Sequence, residues 1–319
     1  MLPPADAKGL DGKETTLAIA RPDRSRRTPR LSERVTGALL VLPALVLLLT
    51  LTLYPVVYGA WISTFNKHSF FPEQTFVGMS NYAYVLTDAE FWVSVRLGAI
   101  YALSSIVLQI VLGVAAALVV NERFPGRNLV RSILIFPYVI PTVLAVILWK
   151  WLLNSQFGLV NILLEDAGII DRPISWMGKD WIMVSLILVS VWQFFPFVLL
   201  GVLARLQSIP GELYEAAAID GANAAQRFVH ITLPQLQAVL FIVILLRSIW
   251  MFTKFDTPWL MILGGGAETY IRTLPVYTYQ RTFAYYEAGI GATMAVLMFL
   301  MLAAIAAIYF RLFRREEAL

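Results

Sequence analysis

Arg247 is the residue that asks most of its surroundings. It stands about 11 residues into the apolar run 236–260. At 1.5 Å of rise per residue the guanidinium falls near the middle of a lipid bilayer. An ionisable group at that depth marks either a substrate path or a structural tether between helices. Trp250 and Lys254 follow at i+3 and i+7, on the same helical face. Gln193, with Trp192 beside it, sits at similar depth in the run 181–203. The only carboxylate inside any apolar run is Asp256, about 14 Å of helix rise from Arg247. Arg247 therefore lacks an obvious partner on its own helix. Backbone carbonyls, a second subunit or a polar substrate are left to satisfy it. For Gln109 and Gln193, interhelical hydrogen bonding and substrate contact stand as equal readings. Arg96 and Lys150 lie near run ends, where snorkelling suffices.

Bond-making chemistry is poorly provided for. Cysteine is absent, and the two histidines, His68 and His230, are far apart in sequence. No thiolate nucleophile, zinc set or acid–base constellation can be assembled, so no metal site is expected and a membrane-embedded enzyme is disfavoured.

The elements that must position these side chains follow from composition. Of 319 residues, 59% are hydrophobic and 14% charged, against roughly 25% charged in a soluble domain. The apolar residues fall in six blocks, 35–60, 94–120, 133–153, 181–203, 236–260 and 288–310, each near the roughly 20 residues a spanning helix needs. The expected fold is an all-α integral membrane protein with six transmembrane helices. Pro137, Pro141 and Pro196 are expected to interrupt the third and fourth helices and free backbone carbonyls there. A translocation path between the third, fourth, fifth and sixth helices follows as an expectation.

Lysines and arginines set the orientation. The segments 1–34, 121–132, 204–235 and the C-terminal end carry 16 of the 25; the alternate loops 61–93, 154–180 and 261–287 carry 5. The positive-inside rule places both termini and the 204–235 loop in the cytoplasm. The division is a basic, disordered tail at 1–34, a transmembrane domain at 35–312 and a short tail at 313–319. The run starting at Val35 is too long for a cleaved signal peptide. The tail's arginines, just before this run, serve topology and anionic lipid rather than nucleic acid.

The 204–235 loop is unusually long for a membrane protein. Pro210 suits a first helical turn, with Glu212 and Glu215 near its positive end. Asp220-Gly221 stops that helix, Asn223 caps a second, and Pro234 marks the start of the fifth span. The first helix carries no Lys or Arg, which disfavours a lipid-resting helix and favours a protein partner.

Glu215-Ala216-Ala217, then Gly221, Ile231 and Leu233-Pro234 at their spacing, resemble the EAA motif of binding-protein-dependent ABC importer permeases. The likeness extends to Pro55, 76–92, Arg131 to Pro141 with Trp149, Asn154, Gly158 and Asn161, and 254–270, which look like the sugar-importer branch. Gly264-Gly265-Gly266 departs from that branch's usual Gly-Gly-Pro and reads as a flexible turn. The resemblance implies a type I ABC importer permease fold with a cytoplasmic coupling helix. It implies docking of Glu215, Ala216 and Ala217 on a separate ATPase, a turn at Asp220-Gly221, and a fixed junction at Ile231, Leu233 and Pro234. It further implies two ATPase subunits, a second related permease, an extracytoplasmic solute-binding protein, a sugar or polyol substrate, and residence in a prokaryotic plasma membrane. The chain itself has no GxxxxGK[ST] loop, so no cofactor is expected on it and ATP with Mg belongs to the partner. An ion-coupled transporter or channel is the alternative, but it has no use for the Glu215 loop.

Overall fold

The computed structural model describes residues 33–263 and 267–316. The basic tail up to residue 32, the glycine run 264–266 and residues 317–319 lie outside them. The chain divides into two compact units at Pro55. The first holds α1 (Glu33–Leu48), a π-helical turn (Leu49–Leu53) and the start of α2 (Tyr54–Ile62). In the second unit a hairpin, β1 (Phe65–Lys67) and β2 (Gln74–Phe76), precedes α3 (Ser80–Thr87) and α4 (Ala89–Asn121). Next come α5 (Arg127–Val139), α6 (Thr142–Leu152), α7 (Leu159–Asp166) and α8 (Ile182–Leu206). They are followed by α9 (Gly211–Ile219), α10 (Ala224–Arg227), α11 (Leu233–Phe252) and α12 (Asp256–Ile262). The chain continues through α13 (Glu268–Ile271) and α14 (Leu274–Tyr279) to α15 (Ala288–Glu316).

Among the described residues, five stretches are long and apolar enough to cross a membrane: Leu39–Ile62, Ala89–Asn121, Ile182–Leu206, Ala224–Ile262 and Ala288–Arg311. The sixth is a broken pair, α5 and α6, bent by 101°. The third span, expected over 133–153 with interruptions at Pro137 and Pro141, is two segments that meet at Pro141. Of the three prolines expected to interrupt helices, only Pro141 does so; Pro137 and Pro196 are carried inside α5 and α8. The residue before a proline is pushed out of the helical region, and Ile140 duly lies at φ −71°, ψ 129°.

Two prolines act more gently. Pro55 and Pro234 each stand second in their helix, directly after a π-helical turn, Leu49–Leu53 and Phe228–Thr232. A proline ring clashes with the carbonyl four residues back and offers it no N–H. Widening that turn to i→i+5, with Leu233 N–H donating to Phe228 O, relieves the conflict without breaking the helix.

The core of the second unit is α4 packed along α8, with α11 against both. The buried face of α4 carries Gly98, Ala102, Ser105, Gly113 and Ala117 among larger residues, and small side chains let helix backbones approach closely in lipid. At Gly113 a Cβ would sit 2.5 Å from that of Val198. Asn161, on α7, ties the loop that follows to its helix. Its amide donates to Ile174 O (3.0 Å) and its Oδ1 accepts from Ile174 N and Trp176 Nε1 (3.1 and 2.9 Å).

Candidate functional site

The 204–235 loop is two capped helices on a braced base. Helix α9 ends in a Schellman closure: Gly221 N–H donates to Ala218 O (3.1 Å) and Ala222 N–H to Ala217 O (2.9 Å). Gly221 takes φ +81°, a left-handed conformation that costs other residues about 1–2 kcal/mol. Asn223 then opens α10 with a capping box, exchanging bonds with Gln226 at 2.9 and 2.8 Å. Pro210 stands at the cap of α9 rather than inside its first turn.

Below this, Tyr214 Oη and Thr232 Oγ1 lie 2.9 Å apart, joining α9 to the π-helical turn. Arg205, at the end of α8, donates to the backbone and side-chain oxygens of Gln235 at 2.8 and 2.6 Å. No residue of α9 is buried, and Ile219 is 87% exposed. Glu215 and Ala216 are exposed and Ala217 is half-buried. Ile231, Leu233 and Pro234 lie where α10, the π-helical turn and α11 run on as one helix. The helix that carries the fifth span therefore begins at Ala224, ten residues before Pro234.

At the depth of Arg247 the structure gathers some of the expected residues and scatters others. Arg247 is 3% exposed. Its Nε donates to Gln109 Oε1 (2.7 Å) across to α4, and its Nη2 lies 3.1 Å from Met251 Sδ. Gln109 in turn donates to Ser190 O on α8 at 3.2 Å. Lys254 lies just beyond the end of α11, where its Nζ pairs with Asp256 Oδ1 at 3.0 Å. Both cations face one ring: Arg247 Cζ and Lys254 Nζ stand 4.9 and 4.4 Å from the centroid of Phe194. With Trp250, Tyr138 and Met251 they line a cavity of about 250 Å³.

Gln193 and Trp192 are placed elsewhere. Gln193 donates to Ile140 O at 3.0 Å, satisfying a carbonyl freed where Pro141 breaks the third span. Trp192 packs edge-on against Trp149 at 5.5 Å. The cavity is bounded by α5, α8 and α11, and among the described residues none of α15 lines it. Lys150, expected to snorkel, closes the end of α12 by donating to Leu260 O (3.3 Å) and to Leu263 O.

Residues 109–317 match the family described as the binding-protein-dependent transport system inner membrane component. The chain belongs to this family. It is 36% identical over 292 residues to the trehalose/maltose transport system permease protein MalF of Thermococcus litoralis, covering 89% of this chain and 96% of that one. It is 37% identical over 280 residues to the inner membrane ABC transporter permease protein YcjO of Escherichia coli, covering 86% and 92%. Its fold matches a chain of the bacterial alginate ABC transporter in complex with alginate pentasaccharide-bound periplasmic protein. There the TM-score is 0.78 at 20% identity, over 90% of this chain and 98% of that one. The protein is thus a multi-pass permease subunit of an ABC importer, with that permease fold.

Several residues that shape the permease's two sites escape sequence reasoning. Tyr138, Phe194 and Met251 line the cavity, and Arg205, Tyr214, Thr232 and Gln235 brace the loop. Of these only Tyr214 carries a local signal, as an aromatic on a short helix outside the bilayer. The rest are apolar or polar residues whose roles come from partners far away in sequence.

Proposed function

We propose that this permease moves a sugar or related polyol inward across a prokaryotic plasma membrane, driven by two separate ATPase subunits, one of which docks on α9. The observation that carries this reading is the loop itself: a short, exposed, acidic-headed helix held stiff by the Schellman closure, the capping box and the Tyr214–Thr232 bond. Force must pass through a rigid element, and α9 is bonded at Tyr214 to the helix that begins at Ala224 and runs on into the fifth span. In this reading both termini and the loop face the cytoplasm, in keeping with 16 of 25 basic residues on that side. Glu215, Ala216 and Ala217 contact the ATPase, Asp220-Gly221 lets the chain fold back, and Ile231, Leu233 and Pro234 join the loop to the span. ATP and Mg are held by the partner. A second, related permease completes the channel, and an external binding protein delivers the substrate. The sugar class rests on the trehalose/maltose permease, similar over nearly its whole length.

The test is purification followed by reconstitution. The permease is expected to copurify with an ATPase subunit. Glu215→Arg is expected to abolish ATP-driven sugar uptake while leaving membrane insertion intact. Uptake that persists without ATP, or a variant that transports normally, overturns the assignment.

A further inference from the structure

The charge balance of the Arg247 cavity has a consequence for the substrate. Two cations, Arg247 and Lys254, line it, and one carboxylate, Asp256, answers only Lys254. Among the described residues no carboxylate pairs with Arg247; its polar partners are the neutral Gln109 and the sulfur of Met251. Arg247 is buried, with 3% of its surface exposed. An unanswered cation at this depth costs several kcal/mol. A tether between α4 and α11 could be made by a neutral amide at far smaller cost, since Gln109 already supplies the partner. The cation is explained if an anion visits the cavity.

We propose that the cavity binds the anionic substituent of a sugar: a carboxylate, sulfonate or phosphate ester on the ring. Guanidinium is the side chain suited to such groups, because its planar fork meets two oxygens at once. The Nε edge is held by Gln109 and Nη2 lies against Met251, which fixes the plane of a group that lines the cavity. Trp250, Phe194 and Tyr138 supply flat apolar walls for the ring of the sugar. Lys254 adds a second positive charge beside Phe194 and is already neutralised by Asp256, so selectivity for charge resides chiefly in Arg247.

This proposal rests on the reading of the protein as a sugar permease and specifies its substrate class. Its test uses the purified permease assembled with its copurifying subunits and three labelled probes: glucose, glucuronate and glucose 6-phosphate. Binding of the two anionic probes is expected to exceed that of glucose at least tenfold and to weaken in high salt. Arg247→Gln is expected to lower anion binding about tenfold with little effect on glucose, while Arg247→Lys retains part of the preference. Equal binding of glucose and glucuronate by the unaltered complex overturns the proposal, whether or not any variant folds. So does an anion preference that survives Arg247→Gln. Failure of the permease reading looks different: no ATPase copurifies, and no probe is taken up with ATP.

Discussion

A neutral amide holding a buried guanidinium makes Gln109 the residue through which Arg247 can be manipulated. Gln109→Leu removes a hydrogen bond to a charged group, worth about 1.5–3 kcal/mol, and leaves Nε with nothing to donate to. The expected result is a clear fall in the thermal midpoint of the purified permease. Gln109→Glu keeps an acceptor at the same place and is expected to recover much of that loss, while neutralising the cavity and erasing its preference for glucuronate over glucose. A pure tether predicts a change in stability alone. At the opposite end of the chain's helices, outside the spans, the Tyr277 phenol is pushed up to about 12 by burial, with further help from its bond to Asp88 Oδ2 at 2.7 Å. A raised folded pKa favours the protonated phenol, so its stabilising effect is full below the ordinary value near 10. It is lost as pH climbs from about 10 towards about 12. The thermal midpoint of the purified permease is expected to fall over that window, and Tyr277→Phe to lessen this pH dependence. A variant that retains it places the titration elsewhere.

Elements in this protein are decided by a few backbone constraints, and those differ in how openly the sequence displays them. The loop was largely legible, because Gly221 and Asn223 act on their own neighbours and helix-ending chemistry is local. Gly221→Ala is expected to loosen the end of α9 by about 1 kcal/mol, read as faster amide exchange over 216–223 with the spans unaffected; equal exchange in the two proteins refutes the role given to its φ. The prolines were not legible in the same way. Pro137, Pro141 and Pro196 look alike in the sequence, yet only Pro141 breaks its span, where Gln193 from α8 accepts the burden of Ile140 O. Whether a proline kinks, breaks or is absorbed by a π-helical turn depends on partners that other helices supply. The same holds for Gln109 and Arg247. Each stood out as a polar residue in an apolar run, but their pairing needs the register of α4 on α11, which close packing sets. Gly113 shows how tight that packing is. Gly113→Ala drives a methyl into Val198, an overpacking cost of about 1–3 kcal/mol, and Val198→Ala is expected to restore most of the lost stability in the double variant. A cost that the second substitution leaves unchanged means the helices do not meet there.

At the scale of the whole molecule, the two candidate sites are ends of one stiff rod. From Ala224 the helix passes the π-helical turn and runs on through α11 to Arg247 and Trp250. Thr232, where Tyr214 braces α9, and Arg247, which lines the cavity, are 15 residues apart, about 22 Å along a helix. A tilt imposed on α9 by a closing ATPase pair therefore reaches the cavity wall without crossing a hinge, provided the brace holds. The brace has two parts with separable duties. Tyr214–Thr232 fastens α9 to the rod, and Arg205–Gln235 fastens the rod to the end of α8. Tyr214→Phe deletes only a hydroxyl, so α9 keeps its packing and its docking face but can slide on its base. In reconstituted vesicles this variant is expected to bind the ATPase and hydrolyse ATP at a rate near the parent's, while the sugar carried per ATP falls severalfold. Arg205→Gln should share this phenotype, because it frees the rod from α8 without touching the exposed face of α9. Glu215→Arg, by contrast, acts at the docking face and should reduce ATPase binding itself. Measuring hydrolysis and uptake together on the three variants distinguishes a broken dock from a slack linkage. If Tyr214→Phe lowers hydrolysis and uptake in equal proportion, force does not travel by this helix, and the π-helical turn at Phe228–Thr232 serves only to accommodate Pro234.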